Sequence, residues 1–99
     1  MSPLTTKQIA HLRAQGQRLE PMAHIGQAGL SDAVLASVNQ ALDAHELVKV
    51  KFHAFKEKRK PLAAELAGRT GSVLVQQVGH VVVLYRAAAD PAARKIQLS

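Results

Sequence analysis

Cysteine and tryptophan are absent from this chain of 99 residues, and its aromatic residues are two phenylalanines and one tyrosine. Without cysteine there is no disulfide framework, no thiolate nucleophile and no Cys-based zinc site, a composition that fits a reducing compartment. Phe52, Phe55 and Tyr85 are too few for a surface that reads single-stranded nucleic acid by stacking bases on exposed aromatic strands. Long apolar runs are missing as well. The stretch Val81 to Tyr85 falls far short of the ~20 residues needed to span a bilayer. The opening Met1-Ser2-Pro3-Leu4-Thr5 lacks the basic and apolar regions of a signal peptide, and the expectation is a cytoplasmic protein with no membrane partner.

Acidic residues are also scarce, and they are scattered singly. That leaves no carboxylate pair for acid–base work. His11, His24, His45, His53 and His80 show no H-E-x-x-H or similar ligand spacing, so they read as surface, capping or turn histidines. No enzyme, metal site, cofactor or small-molecule substrate is expected.

What the chain has in excess is positive charge. Thirteen Lys and Arg against seven Asp and Glu give a formal net charge of +6 and a pI near 10.2. Such a balance favours a polyanionic or acidic partner. With 47% hydrophobic residues the length suits one domain over 1–99, with 87–99 as a C-terminal tail.

Local patterns divide the chain into alternating helices and strands. Thr5 and Gln8 form a capping-box pattern, with Leu4 and Ile9 placed as a hydrophobic staple, so a helix is expected over about 6–15. Ile9, Leu12, Gly16 and Leu19 share one side of it, and Lys7, His11 and Arg18 the other. Met22 to Ile25 reads as a short strand. Val34, Leu35, Val38, Ala41 and Leu42 repeat at helical spacing over 31–45. Leu47 to His53 alternates, with Val48, Val50 and Phe52 on one face and Lys49, Lys51 and His53 on the other.

The cationic run Lys56-Glu57-Lys58-Arg59-Lys60 is expected as a loop or loose turn before a third helix, with Pro61 in that helix's first turn, where its missing N–H costs nothing, and Gly71 near its end. Val73–Val78 and Val81–Arg86 flank Gly79-His80 as an antiparallel hairpin. Ile96 and Leu98 could add a short edge strand. The expected fold is α/β: a two-layer sandwich in the order α-β-α-β-α-β-β, with three helices on one face of a four-stranded mixed sheet. Lys49, Lys51 and Arg86 would decorate the open face.

The motif with the clearest chemical meaning is Gly26-Gln27-Ala28-Gly29, a Gly-x-x-Gly loop between the first strand and the second helix. Glycines let a main chain approach a phosphate closely, and the helix after Ser31 offers an N-terminus that favours an anion. KH modules clamp nucleic-acid backbone with a loop of this kind. The alternative is a tight strand-to-helix turn with no ligand.

Three separated blocks, His24 to Ser31, Leu42 to Lys51 and Val78 to Arg86, together resemble YhbY-like proteins, the free-standing bacterial form of the CRM (chloroplast RNA splicing and ribosome maturation) domain. The resemblance spans residues 4 to about 86. It implies an RNA-binding α/β domain shaped like the C-terminal domain of initiation factor three, associated with ribosomal RNA in precursors of the large subunit. Residue by residue, it implies RNA contacts at Gly26, Gln27, Ala28 and Gly29, with Lys49, Lys51, Lys56, Lys58, Arg59 and Lys60 as the basic surroundings. Two positions depart from the family pattern. Gln27 stands where the family loop commonly has lysine, which removes a charge but keeps the backbone donors, and Pro61 is unusual for the third helix.

Two functions follow as expectations. In the first, the loop amides grip a phosphate while the lysines hold flanking backbone of a structured RNA, and Gly29→Asp should abolish binding with the fold largely intact. Phe55, if exposed, would stack on a base; otherwise it anchors its loop to the core. In the second, the chain is a basic protein-interaction module that docks on an acidic partner, and any RNA association is indirect.

Overall fold

The computed structural model describes residues 4–90, 92 and 96. Seven elements follow one another: α1 (Thr6–Gly16), β1 (Ala23–Ile25), α2 (Asp32–His45), β2 (Leu47–Phe52), α3 (Arg59–Thr70), β3 (Val73–Val78) and β4 (Val81–Tyr85). The strands form one mixed sheet in the order β1-β2-β4-β3. β1 and β2 are parallel, and β4 is antiparallel to both β2 and β3. Among the described residues no helix is long and apolar enough to cross a membrane.

Local chemistry sets the boundaries. The Thr5 hydroxyl accepts the Gln8 amide at 3.1 Å, and the Gln8 side chain accepts the Thr5 amide at 2.9 Å, completing the capping box. Ser31 caps α2 by accepting the Val34 amide at 3.2 Å. Gly71, at φ 63°, ends α3 in the left-handed conformation that glycine adopts without strain. α3 opens two residues before Pro61, so Arg59 and Lys60 are helical and the expected loop shrinks to a turn at 56–58. Pro61 still falls in the first turn, where no backbone donor is needed.

Two separate clusters form the core. Val48, Val50 and Phe52 of β2 join Val82 and Leu84 of β4, with Val38 and Leu42 of α2 and Ala63 and Leu66 of α3. On the opposite side of the sheet, Leu47, Val75, Val83 and Tyr85 pack with Leu12 of α1, and Leu4, Ile9 and Leu19 close around them. The fold class and element order are therefore those read from the sequence, but α1 lies on the face away from α2 and α3. The cause is β4. Its run Val-Val-Val-Leu-Tyr has no polar alternation, so it is apolar on both faces and requires cover on both.

Arg86 is a second correction. It does not decorate the open face. Its guanidinium donates to the Asn39 side chain at 2.8 Å, the Thr70 carbonyl at 2.6 Å and the Asp43 carboxylate at 2.7 Å, tying α2 to the end of α3. Ala88 and Ile96 are held by Glu46, which is buried and stands at φ 64°. Its carboxylate accepts the Ala88 amide at 2.8 Å and the Ile96 amide at 3.0 Å, and Ile96 packs against the α1 cluster. Ile96 is not in a strand, and Leu98 lies outside the described residues.

Because the Arg86 guanidinium joins acceptors on two helices, Arg86→Ala is expected to lower unfolding free energy by about 2–3 kcal/mol in urea titrations, a loss typical of hydrogen bonds to a charged group. Arg86→Lys should recover little of it, since an ammonium cannot reproduce the planar fork.

Candidate nucleic-acid interface

Parallel pairing of β1 and β2 brings two loops to one end of the sheet. Ile25 stands opposite Phe52, and both chains leave the sheet there, one toward α2 and the other toward α3. The His53 amide donates to the Ile25 carbonyl at 2.8 Å, and the Phe52 amide to the His80 carbonyl at 2.7 Å, so the β3–β4 turn joins the same end. Both helices begin at this end of the sheet, so the positive ends of two backbone dipoles lie on the same side of the fold. They are not equivalent. α2 carries Asp32 in its first turn and the Ser31 cap, whereas α3 has no acid in its first turn and no side-chain cap at Lys58.

The Gly26–Gly29 segment is a tight turn in which the Gly29 amide donates to the Gly26 carbonyl at 3.0 Å. Gly29 is buried at φ 68°, and a Cβ there would lie 3.6 Å from two ring atoms of Phe55. Gly26 is the reverse case. It is exposed, its φ is not positive, and a Cβ would meet nothing within 4 Å. One glycine therefore serves the fold, while nothing within the described molecule requires the other. Gln27 and Ala28, between them, are exposed.

Phe55 matches neither alternative as stated: it is not fully exposed, and among the described residues it packs against neither core cluster. It is half-buried with its ring over Gly29, so it anchors the 53–58 loop to the glycine turn. Its own φ is 60°, a conformation that costs a non-glycine residue about 1–2 kcal/mol. The Lys58 amide closes a turn onto the Phe55 carbonyl at 2.9 Å. This weld sets the cationic run beside the glycine turn, with Lys56, Lys58 and Lys60 exposed. Arg59 is drawn partly inward, and its buried Nε has no hydrogen-bond partner among the described residues.

Lys49 and Lys51 are half-buried on the sheet face that carries α1, opposite Val83 and Val81 of β4. Lys51 also stands opposite His24 of β1. His24 Nδ1 and His53 Nε2 are 2.8 Å apart with ring centroids at 5.0 Å. This pair continues the polar row from Lys51 toward the loop. The expected site residues thus fall into one connected arc: Gly26, Gln27 and Ala28, then Lys56, Lys58 and Lys60 beyond Phe55, and Lys51 and Lys49 down the sheet. Gly29 and Arg59 belong to its supporting side. Sequence reasoning missed the His24–His53 pair, because 29 residues separate its members and only the β1–β2 register brings them together.

The contrast between the glycines corrects the expectation that Gly29→Asp leaves the fold intact, because a side chain at φ 68° is strained whatever space surrounds it. Gly29→Ala is expected to lower stability by about 1–2 kcal/mol, and Gly26→Ala to leave the denaturation midpoint unchanged, as read by chemical unfolding of both variants.

With this geometry in place, comparison with known proteins becomes informative. Residues 4–86 match the model of the CRS1/YhbY (CRM) domain family. The chain is 37% identical over 99 residues to a Haemophilus influenzae protein named "RNA-binding protein", covering 99% of this chain and 97% of the other. It is 34% identical over 84 residues to the Bacillus subtilis "Probable RNA-binding protein YqeI", covering 84% and 88%. The solution structure of a Staphylococcus aureus protein superposes with a TM-score of 0.78 at 30% identity, covering 96% of this chain and all of that one. A family match over most of the length, joined to this shared fold, makes the chain a member of the CRS1/YhbY (CRM) domain family.

Proposed function

We propose that the protein binds structured ribosomal RNA by its sugar-phosphate backbone and assists assembly of the large ribosomal subunit in the cytoplasm. The observation that carries the reading is Gly26: an exposed glycine that neither backbone geometry nor packing requires, in the turn that Phe55 joins to the cationic run. A group that must come close to the main chain from outside supplies the missing reason. The proteins most like this one bear RNA-binding names, which supports RNA as the polyanion.

In mechanism, the Gln27 and Ala28 amides meet a phosphate at the outer edge of the glycine turn. The Gly29 amide takes no part, since it is used in closing the turn. Lys56, Lys58 and Lys60 hold the next phosphates beside the uncapped start of α3, and Lys51 and Lys49 those along the sheet. Attraction of this kind works through counterion release, so it is strong at low salt and indifferent to base sequence. Selection among RNAs then comes from the shape of the arc, set by the Phe55–Gly29 contact and the β1–β2 register.

The test is binding to large-subunit ribosomal RNA and to a length-matched unrelated structured RNA over a salt series. The expected result is selective binding, at least tenfold weakened by Gly26→Asp in a folded protein, with the log–log salt slope falling by roughly 0.7–0.9 for each phosphate contact removed by Lys51→Ala or Lys58→Ala. Equal, weak binding to both RNAs that ignores Gly26→Asp would favour the second reading, a basic module that docks on an acidic protein.

A further inference from the structure

α1 covers only part of its face of the sheet. Beyond its last turn lies an open groove of about 250 Å3, lined by Gly16, Lys49, Gln76, Val78, Val81 and Val83, with Gln17 at the rim. Gly16 makes this shape possible: its absent Cβ would stand 3.0 Å from a Val83 methyl, so α1 seats directly on β4 and forms the groove wall. Val78 at the far side is 63% exposed and is the one exposed large hydrophobic side chain among the described residues. Among the described residues no carboxylate lines the groove.

The ladder places three kinds of chemistry side by side. Lys51 and Lys49 on β2 stand opposite Val81 and Val83 on β4, which stand in turn opposite Val78 and Gln76 on β3. Neighbouring strands are about 4.8 Å apart. From one side to the other the face therefore runs cation, apolar floor, amide. A polymer with an anion in its backbone and a flat heterocycle hung beside it matches that sequence: the phosphate over β2, the ring over the valines, its polar edge at an amide that both donates and accepts. An acidic peptide could also use the lysines; what favours a base is the narrow apolar floor bordered on its far side by one amide that both donates and accepts.

We propose that this groove seats an unpaired nucleobase of the bound RNA, with Val81 and Val83 under the ring, Gln76 at its hydrogen-bonding edge and Lys49 on the adjoining phosphate. The proposal rests on the RNA-backbone reading of the cationic arc. Its physical content is a base preference delivered without aromatic stacking, because the described aromatics lie elsewhere: Tyr85 under α1, Phe52 in the other cluster, Phe55 over Gly29.

The experiment compares a short oligouridylate with a chain of the same length whose central units are abasic, both titrated against the full-length protein and the double variant Gln76→Ala/Val78→Ser. Circular dichroism and urea unfolding verify that the variant is folded. The wild type is expected to bind the uridylate about fivefold more tightly than the abasic chain, the lower end of the range for a base stacked on an aromatic ring, as suits an aliphatic floor with one hydrogen-bonding edge. In the variant, which keeps the Val81 and Val83 floor but loses the hydrogen-bonding edge and the flanking Val78, that ratio should fall clearly below the wild-type value. Equal binding of the two chains by the wild type, or a full ratio in the folded variant, would overturn the groove assignment while the backbone reading stands. Failure of both chains to bind while large-subunit ribosomal RNA is still bound would overturn the groove assignment alone; failure of that RNA to bind as well would overturn the backbone reading, and the groove assignment with it.

Discussion

The register of β2 is the constraint on which the rest of the structure depends. Its six residues face two different environments: Val48, Val50 and Phe52 enter the core with α2 and α3, Leu47 lies under α1, and Lys49 and Lys51 line the uncovered part of that same face. A slip of one residue would carry both ammonium groups into the main core and turn three large apolar side chains outward. The penalty for burying unpaired charges makes the alternative untenable. The same strand pairs with β1 on one side and β4 on the other, so its register also sets where the two loops meet and where the lysines stand relative to the groove.

From that register the functional end follows by geometry. Parallel pairing with Ile25 opposite Phe52 brings the ends of β1 and β2 level, and each hands its chain to a helix that starts at that end of the sheet. A polyanion approaching this end meets backbone donors, helix N-termini and cationic side chains at once. Phe55 holds the two loops at a fixed separation at the cost of its own backbone strain, a cost that surrounding contacts must offset. On the proposed function, preorganisation of this kind would let a small basic protein prefer one RNA shape over another, although each phosphate contact by itself carries no sequence information.

Much of this was legible in the amino-acid sequence because it is written in local chemistry. The Thr5–Gln8 capping box, the Ser31 cap, the β2 alternation and the Gly71 terminus are short-range signals, and each stands where the pattern put it. The placement of α1 was not legible, since an apolar stripe does not say which face of a sheet it will meet. Arg86 misled for a related reason: in a strand pattern it looks outward, and only the return of the chain past α2 and α3 offers it Asn39, Asp43 and the Thr70 carbonyl. The two glycines could not be told apart in a motif, because the difference lies in φ and in a phenylalanine 26 residues away in the chain from Gly29. That difference is what turns a recurrent loop pattern into a functional argument.

The most direct test of the central claim is to map the RNA contact on the protein by following backbone amide resonances of the isotope-labelled chain during titration with a short stem-loop RNA. The account predicts the largest shifts at 26–28, 49, 51, 53 and 56–60, with smaller ones reaching Gln76 and Val78. Shifts confined to the exposed faces of α1 and the outer side of α2, with the glycine turn unmoved, would contradict it.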